Sequence, residues 1–250
     1  MSPTIVRIVA GGEGFSALNL NDFTDAYVKL LFVKPELGLT PPYDEPTLRE
    51  TLAPEDMPVR RTYTLRWIDR EQQKVAIDFV VHGDEGLAGP WARGARPGDQ
   101  FVASGAGGAY APDPAADWHL FIGDESALPA IASALEALPK DASGLAYLQV
   151  TDDGGRIDLQ APEGVQLSWL TGGPEVTDLL AAAVSSGPWP EGRVHVFAHG
   201  ERESMKAIRA LLKDREVPRE DISLSGYWAY GRNEDRFQAE KREPIGQIGD

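Results

Sequence analysis

The chain has 250 residues, 42% hydrophobic and 25% charged, which is enough to bury one large core or two smaller ones and is unlike a disordered composition. It contains no cysteine, which excludes disulfides, thiolate metal sites, cysteine-ligated iron–sulfur clusters and a cysteine nucleophile, so redox chemistry requires a bound cofactor. Its 24 Lys and Arg against 39 Asp and Glu give a formal net charge of −15, opposing nucleic acid and anionic membranes as partners. No stretch approaches the roughly 20 apolar residues of a membrane-spanning helix, and no basic segment precedes a long apolar one at the N-terminus. A cytoplasmic monomer is the expectation.

Residues 4–10 and 24–33 are rich enough in β-branched and aromatic side chains to read as strands. Gly11, Gly12 and Gly14 between them read as a turn, because no periodic helix follows to make them a phosphate loop. Residues 35–58, rich in proline and acids, read as an irregular surface excursion. Strands at 61–69, 74–82 and 99–104 complete the pattern of a small antiparallel β-barrel, with 105–117 (GAGGAYAPDPAAD) as the boundary stretch. We divide the chain into domains 1–113 and 114–250.

Beyond the boundary, His119–Ile122 reads as a short strand and Asp124 as the cap of a helix in which Leu128, Ile131, Leu135 and Leu138 recur at spacings of three, four and three. Strands at Leu145–Val150, Val165–Leu170, Val194–Ala198 and Ile222–Tyr227 alternate with helices near 175–185 and 201–214. This is the pattern of a parallel, Rossmann-like sheet with crossover helices.

The densest chemistry lies in Arg61-Thr62-Tyr63-Thr64-Leu65-Arg66. Strand alternation puts Arg61, Tyr63 and Leu65 on one face and Thr64 and Arg66 on the other, setting a guanidinium beside an aromatic ring. That suits a planar ring joined to a diphosphate, such as a flavin dinucleotide, although the same pattern arises on ordinary amphipathic strands. The next strand, Val75, Ile77, Phe79 and Val81, leads through His82 and a glycine loop to Pro90-Trp91-Ala92, a helix start whose amides could hold a pyrophosphate.

Other clusters have plainer readings. Arg202, Lys206, Arg209 and Lys213 form one face of the 201–214 helix, opposite Met205, Ile208 and Leu212, as a solvated face would. His195 and His199 sit about 13 Å apart along a strand, too far for one metal, and read as structural. Asp124-Glu125 at a helix start reads as capping by spacing alone, with acid–base carboxylates as the alternative. Tyr227-Trp228 reads as core or as an exposed lid, and the cations after it as a terminal amphipathic helix.

Five blocks together, FTDAYVKLLF (23–32), RTYTLR (61–66), DFVVHG with its glycine loop and WA (78–92), GDESALPAI (123–131) and GYWAYGRNE (226–234), resemble the siderophore-interacting protein family of FAD-dependent ferric-siderophore reductases, related to ferredoxin reductases. The resemblance implies a Greek-key FAD barrel followed by an α/β domain for the reductant, and reduction of Fe(III) in a siderophore with NADH, NADPH or ferredoxin as donor. It implies flavin contacts from Arg61, Tyr63, Thr64, Phe79, Val81 and His82, and pyrophosphate contacts from Gly86, Ala88, Gly89, Trp91 and Ala92. Asp124, Ser126 and Ala127 fall near the meeting of nicotinamide and flavin, Tyr227 and Trp228 near the flavin, and Arg236 and Lys241 at a cationic rim for the siderophore. No side chain is implied as nucleophile or base.

Three departures matter. Gly86-Leu87-Ala88-Gly89 replaces the family's G-P-A-S, removing a hydroxyl at Gly89. Ala229-Tyr230 replaces an arginine after Trp228. The strand ending Trp169-Leu170-Thr171-Gly172 lacks the family's terminal Arg, while Thr151-Asp152-Asp153 offers carboxylates to a ribose hydroxyl. Strong preference for NADPH is therefore not expected, and the basic 202–213 face is a candidate ferredoxin dock. The alternative among enzymes is an NAD(P)H-dependent reductase of another acceptor, such as ferredoxin or free flavin, and the alternative from a different class is a non-catalytic siderophore carrier.

Overall fold

The computed structural model describes residues 4–81 and 86–249. In chain order the first part contains β1 (Ile5–Gly11), β2 (Tyr27–Phe32), α1 (Glu45–Thr51), β3 (Val59–Asp69), β4 (Lys74–Val80), α2 (Ala88–Gly94) and β5 (Val102–Gly107). The second contains β6 (Trp118–Asp124), α3 (Leu128–Ala137), β7 (Ser143–Val150), β8 (Gly164–Thr171), α4 (Leu179–Ser186), β9 (Val194–Glu201), α5 (Arg202–Asp214), β10 (Ile222–Trp228) and α6 (Glu234–Glu240). Contacts divide the chain between Gly108 and Ala109. This falls inside the expected boundary stretch but before residue 113, because Asp113 is tied to β9. Its amide donates to His195 Nδ1 at 3.1 Å and its carboxylate pairs with Arg193 at 2.7 Å.

The first unit is an antiparallel sheet of order β1-β4-β3-β2-β5. Consecutive strands β2, β3 and β4 are neighbours and β1 lies beside β4, which is Greek-key order. Strand β3 pairs with β2 through Val59–Thr64 and with β4 from Leu65 onward, with a register shift between Leu65 and Trp67. Such a bulge bends a strand and lets one chain serve two parts of a curled sheet. Val28, Leu30, Leu65, Ile77 and Phe79 fill the interior, with α2 contributing Ala88 and Ala92. On the outer face Arg7 grips Asp78 with two bonds, at 2.6 and 2.7 Å, directly across the β1–β4 pair. The excursion after β2 is not wholly irregular, since Asp44 and Pro46 start α1 there.

The second unit is a parallel sheet of order β10-β9-β6-β7-β8. Helices α4 and α5 cover the face bearing Leu120, Ile122, Val196 and Ala198. Helix α3 covers the other, so closely that a Cβ on Gly123 would lie 2.7 Å from that of Ala127 and 2.8 Å from Ile131 Cδ1. Both faces are thus buried, as a parallel sheet requires. The chain winds from β6 out to β8, then returns to the other side of β6 with β9 and β10. The order reverses between β6 and β9, at whose carboxyl ends such sheets place their ligands.

Candidate functional site

On the barrel, Tyr63 lies half-buried with its ring 4.4 Å from that of Phe79, which is itself 5.6 Å from Trp91. Trp91 meets Phe32 and Phe101 edge-on, so α2 is fixed by an aromatic cluster rather than by its seven residues of helix. Two residues before Tyr63, on the same face, Arg61 Nη1 donates to the Arg60 carbonyl at 2.9 Å. The helix begins at Ala88, two residues earlier than Pro90, because Leu87 already adopts helical angles as its N-cap.

Several expected contacts change character. The side chains of Phe79 (0% exposed), Val81, Ala88 and Ala92 face the barrel core, so only their backbone is available to a ligand. Thr64 and Arg66, on the other face of β3, are buried. His82 lies outside the described residues. What remains on β3 and α2 fits a flavin dinucleotide: a supported aromatic ring, a guanidinium on the same face, and, among the described residues, open space at the Gly86 Cβ position. Gly86 has φ +80, and a Cβ added there would meet nothing within 4 Å; at Gly89 the nearest atom to an added Cβ would be Val81 Cγ1 at 3.8 Å.

In the second unit the switch point holds a buried carboxylate. Asp124 ends β6 and caps nothing: α3 starts only at Leu128, with Ala127 as its N-cap. Asp124 Oδ1 instead accepts from the Ser126 amide at 2.9 Å and from the Ser126 hydroxyl. Its Oδ2 accepts from the Glu201 amide at 2.7 Å and Trp228 Nε1 at 2.8 Å. Burial raises this carboxyl above the usual carboxylate range, and the four donors offset only part of that rise. Glu125 is also buried and accepts from Thr151 Oγ1 at 2.9 Å, joining the ends of β6 and β7. Ala127 is fully buried against Gly123, leaving Ser126 as the partly exposed residue of this turn.

Nothing in the hydrophobic pattern singles out Glu201, 4% exposed at the end of β9. Its Oε2 accepts from the first amides of α5, those of Glu203 at 2.6 Å and Ser204 at 2.9 Å, and its Oε1 accepts from the Tyr230 amide at 3.1 Å. The β9–β10 register shifts between Gly226 and Trp228, and the Tyr227 ring then meets His199 edge-on at 4.9 Å. His199 stacks on Phe197 at 4.0 Å and shares a 3.0 Å hydrogen bond with Ser223, while burial lowers its pKa to about 3. Both strand histidines therefore act in packing: His195 stacks on Tyr110 at 4.8 Å.

The cationic features are more neutralised than the sequence implies. Arg202 is buried, not solvated, and its Nη1 donates to Glu240 Oε2 at 2.7 Å. Glu240 Oε1 also takes Arg232 Nε at 2.7 Å and Arg236 Nε at 3.0 Å. Arg202 first, then Arg232 and Arg236, hold the Glu240 carboxyl down at about 2. Lys241 Nζ sits 4.6 Å over the Phe237 ring. The face of α5 that could have docked a ferredoxin is occupied by the chain's own C-terminal segment: Lys206 donates to the Ile245 carbonyl and Arg209 to that of Gly249, with Ile248 packed on the core. At the rim of β7 and β8, Arg156 pairs with Asp153 at 2.8 Å, and Asp152 accepts from the Gly154 amide.

A Greek-key antiparallel barrel followed by a doubly wound parallel sheet is the architecture of ferredoxin-reductase-like flavoproteins; phthalate dioxygenase reductase shares the fold with a TM-score of 0.60 at 16% identity, over 94% of this chain and 67% of that one. Residues 1–110 match the model of the siderophore-interacting FAD-binding domain and residues 116–231 that of the siderophore-interacting protein. The ferric vibriobactin reductase ViuB of Vibrio cholerae is 34% identical over 96% of this chain and 90% of its own length. The crystal structure of a siderophore utilization protein from T. fusca superposes with a TM-score of 0.79 and 38% identity, covering 93% of this chain and 89% of that one. The chain belongs to the siderophore-interacting protein family, and is an FAD-binding oxidoreductase of that family.

Proposed function

We propose that this protein reduces siderophore-bound Fe(III) to Fe(II), loosening the metal without cleaving its ligand. The observation that carries the reading is that one chain matches the family's flavin-binding model over 1–110 and its siderophore-interacting model over 116–231. Hard oxygen donors hold Fe(III) much more tightly than Fe(II), so one electron suffices for release. FAD, when bound, supplies the conversion between a two-electron donor and a one-electron acceptor. The chain's own tasks are then to bind and orient. Tyr63, supported by Phe79, packs against the ring system; Arg61 and the backbone of Gly86–Ala92 hold the diphosphate. The resemblance assigns Ser126, Tyr227 and Trp228 of the second unit to the flavin's reacting end, and Arg236 and Lys241 to the iron chelate.

For the donor, Asp152 and Asp153 would accept hydrogen bonds from a ribose hydroxyl and repel a 2′-phosphate. The cation nearest in sequence, Arg156, is paired with Asp153. NADH therefore serves about as well as NADPH. Aerobic purification with a visible spectrum tests the flavin, and trapping of Fe(II) from a ferric siderophore under anaerobic turnover tests the activity. Protein that neither carries nor takes up flavin overturns the reading. Stopped-flow reduction of the bound flavin with NADH, NADPH and reduced ferredoxin in parallel tests the donor. A hundredfold advantage for NADPH, or about 2.7 kcal/mol, would require a phosphate site that Arg156 does not provide.

A further inference from the structure

At the carboxyl edge of the second sheet, Glu125 reaches from the end of β6 to the turn that follows β7. Its Oε2 accepts from the hydroxyl of Thr151, the first residue of that turn, at 2.9 Å. Its Oε1 lies against the turn's far end, where a Cβ on Gly155 would collide with it. Glu125 is 8% exposed and Gly155 is buried, whereas Asp152 and Asp153, between these two supports, are exposed. Within the turn Asp152 accepts from the Gly154 amide at 2.7 Å. The Asp153 carboxylate is shared by Arg156 at 2.8 Å and the Thr171 hydroxyl of β8 at 3.4 Å. A buried carboxylate is a costly way to fill this corner, and an apolar side chain would fill it with less penalty. What the carboxylate adds is one fixed point that both ends of the turn lean on.

We propose that Glu125 is a positioning residue for donor selection: it holds the 151–156 turn so that Asp152 and Asp153 stand fixed beyond β7, where they favour a ribose hydroxyl over a 2′-phosphate. The inference rests on the reading above, in which these two carboxylates meet the donor's ribose. It lies wholly within the second unit, where β7 follows β6 outward in a doubly wound sheet and an acidic residue beyond that second strand is the one that meets the ribose. Glu125 itself touches no part of the donor. An acceptor already in place rewards a hydroxyl fully, whereas ordering a mobile turn on binding subtracts from the gain. A carboxylate on a loose turn also moves away from a phosphate instead of opposing it, and the same loosening lets Arg156 leave Asp153 to meet that phosphate. Loss of the support therefore shifts selection toward the phosphorylated donor instead of weakening both donors equally.

The test uses flavin-loaded full-length protein with ADP-ribose and 2′-phospho-ADP-ribose as probes, which carry the discriminating end of each donor and cannot reduce the flavin. Calorimetric titration gives the two Kd values. Thr151→Val keeps the side chain's shape and removes its hydroxyl at an exposed position, and Gly155→Ala drives a Cβ into the Glu125 carboxylate. In each variant the ratio of affinities shifts toward 2′-phospho-ADP-ribose at least about tenfold, the size of a lost hydrogen bond to a charged group. Amide exchange of residues 151–156 quickens at least about tenfold, while that of α3 and β8 holds. Glu125→Leu shifts the ratio in the same way, and Glu125→Gln, which keeps an acceptor for the Thr151 hydroxyl, moves it less than about threefold. If Glu125→Leu does not fold, Thr151→Val and Gly155→Ala decide alone. A ratio unmoved in both, or two affinities that fall equally, overturns the proposal. Failure of the underlying reading looks different: the wild-type protein would then bind neither probe, or a double Asp152→Asn and Asp153→Asn variant would leave both affinities unchanged, and the proposal falls with it.

Discussion

Tyr63 and Arg61 stand two residues apart on β3, and their surroundings give them different sensitivities. The Tyr63 ring is supported from one side by Phe79, so Tyr63→Ala removes both a ligand-facing surface and a part of the barrel's aromatic packing. Arg61→Ala removes a charged donor and leaves that aromatic packing in place. A hydrogen bond to a charged group contributes roughly 1.5–3 kcal/mol, so FAD affinity in Arg61→Ala should fall about ten- to a hundredfold. Fluorescence titration of the apoprotein measures it, and unchanged affinity in both variants removes β3 from the site. Gly89 offers the opposite experiment. Its position has ordinary clearance for a Cβ, no positive φ and a place in the first turn of α2, where serine also has better helix propensity than glycine. Gly89→Ser should fold normally and bind FAD somewhat more tightly through the added hydroxyl. A folded variant that loses flavin would show that the diphosphate takes another course. The face occupied by Arg61 and Tyr63 was legible from alternation. The role of Asp124 was not, because a capping argument depends on where the helix starts, and α3 begins too late for its side chain to reach the first amides.

The elements themselves were largely legible, since period-2 and period-3.6 hydrophobic patterns reflect burial on one face. Misses occurred where a local cue competed with the pattern: α1 was hidden among prolines, one of which begins it, and β10 runs one residue further through a bulge. The α5–α6 pairing was illegible for another reason, as Arg202 and Glu240 stand 38 residues apart and only the fold brings them together. That pair makes the docking of α6 depend on pH. Glu240's carboxyl lies at about 2 in the folded chain against 4.5 ordinarily, so its contribution is complete above 4.5 and lost as pH falls toward 2. The protection of residues 234–249 against hydrogen exchange, taken relative to the intrinsic rate at each pH, should stay constant from neutral pH down to about 4.5 and fall below it. Glu240→Gln should show the lowered protection already at neutral pH, together with faster tryptic cleavage after Lys241 and Arg242. Equal protection in the variant would mean that apolar packing of Phe237 and Ile248 holds the segment without the carboxylate.

At the scale of the whole molecule, the net charge of −15 bears on which iron chelate the protein reduces best. A uniform negative field repels a trianionic tris-catecholate complex and is indifferent to a neutral hydroxamate complex. The objection is the cationic C-terminal segment, which could dominate within a Debye length of about 8–10 Å. The structure weakens that objection. Glu240 takes charge from Arg202, Arg232 and Arg236, Glu203 takes it from Arg202 and Lys206, and Lys241 sits against Phe237. The rim retains positive charge, but less than its sequence implies. Neutral or weakly anionic hydroxamate complexes should therefore have the higher kcat/KM at low ionic strength. Salt distinguishes the two fields: if global repulsion governs encounter, kcat/KM for the tris-catecholate rises with ionic strength while that for the hydroxamate stays level. A local cationic site predicts the reverse, a tris-catecholate preference that falls with salt and disappears in Lys241→Glu. That outcome would put substrate selection in the few residues of the rim and leave the overall charge of the molecule without a part in it.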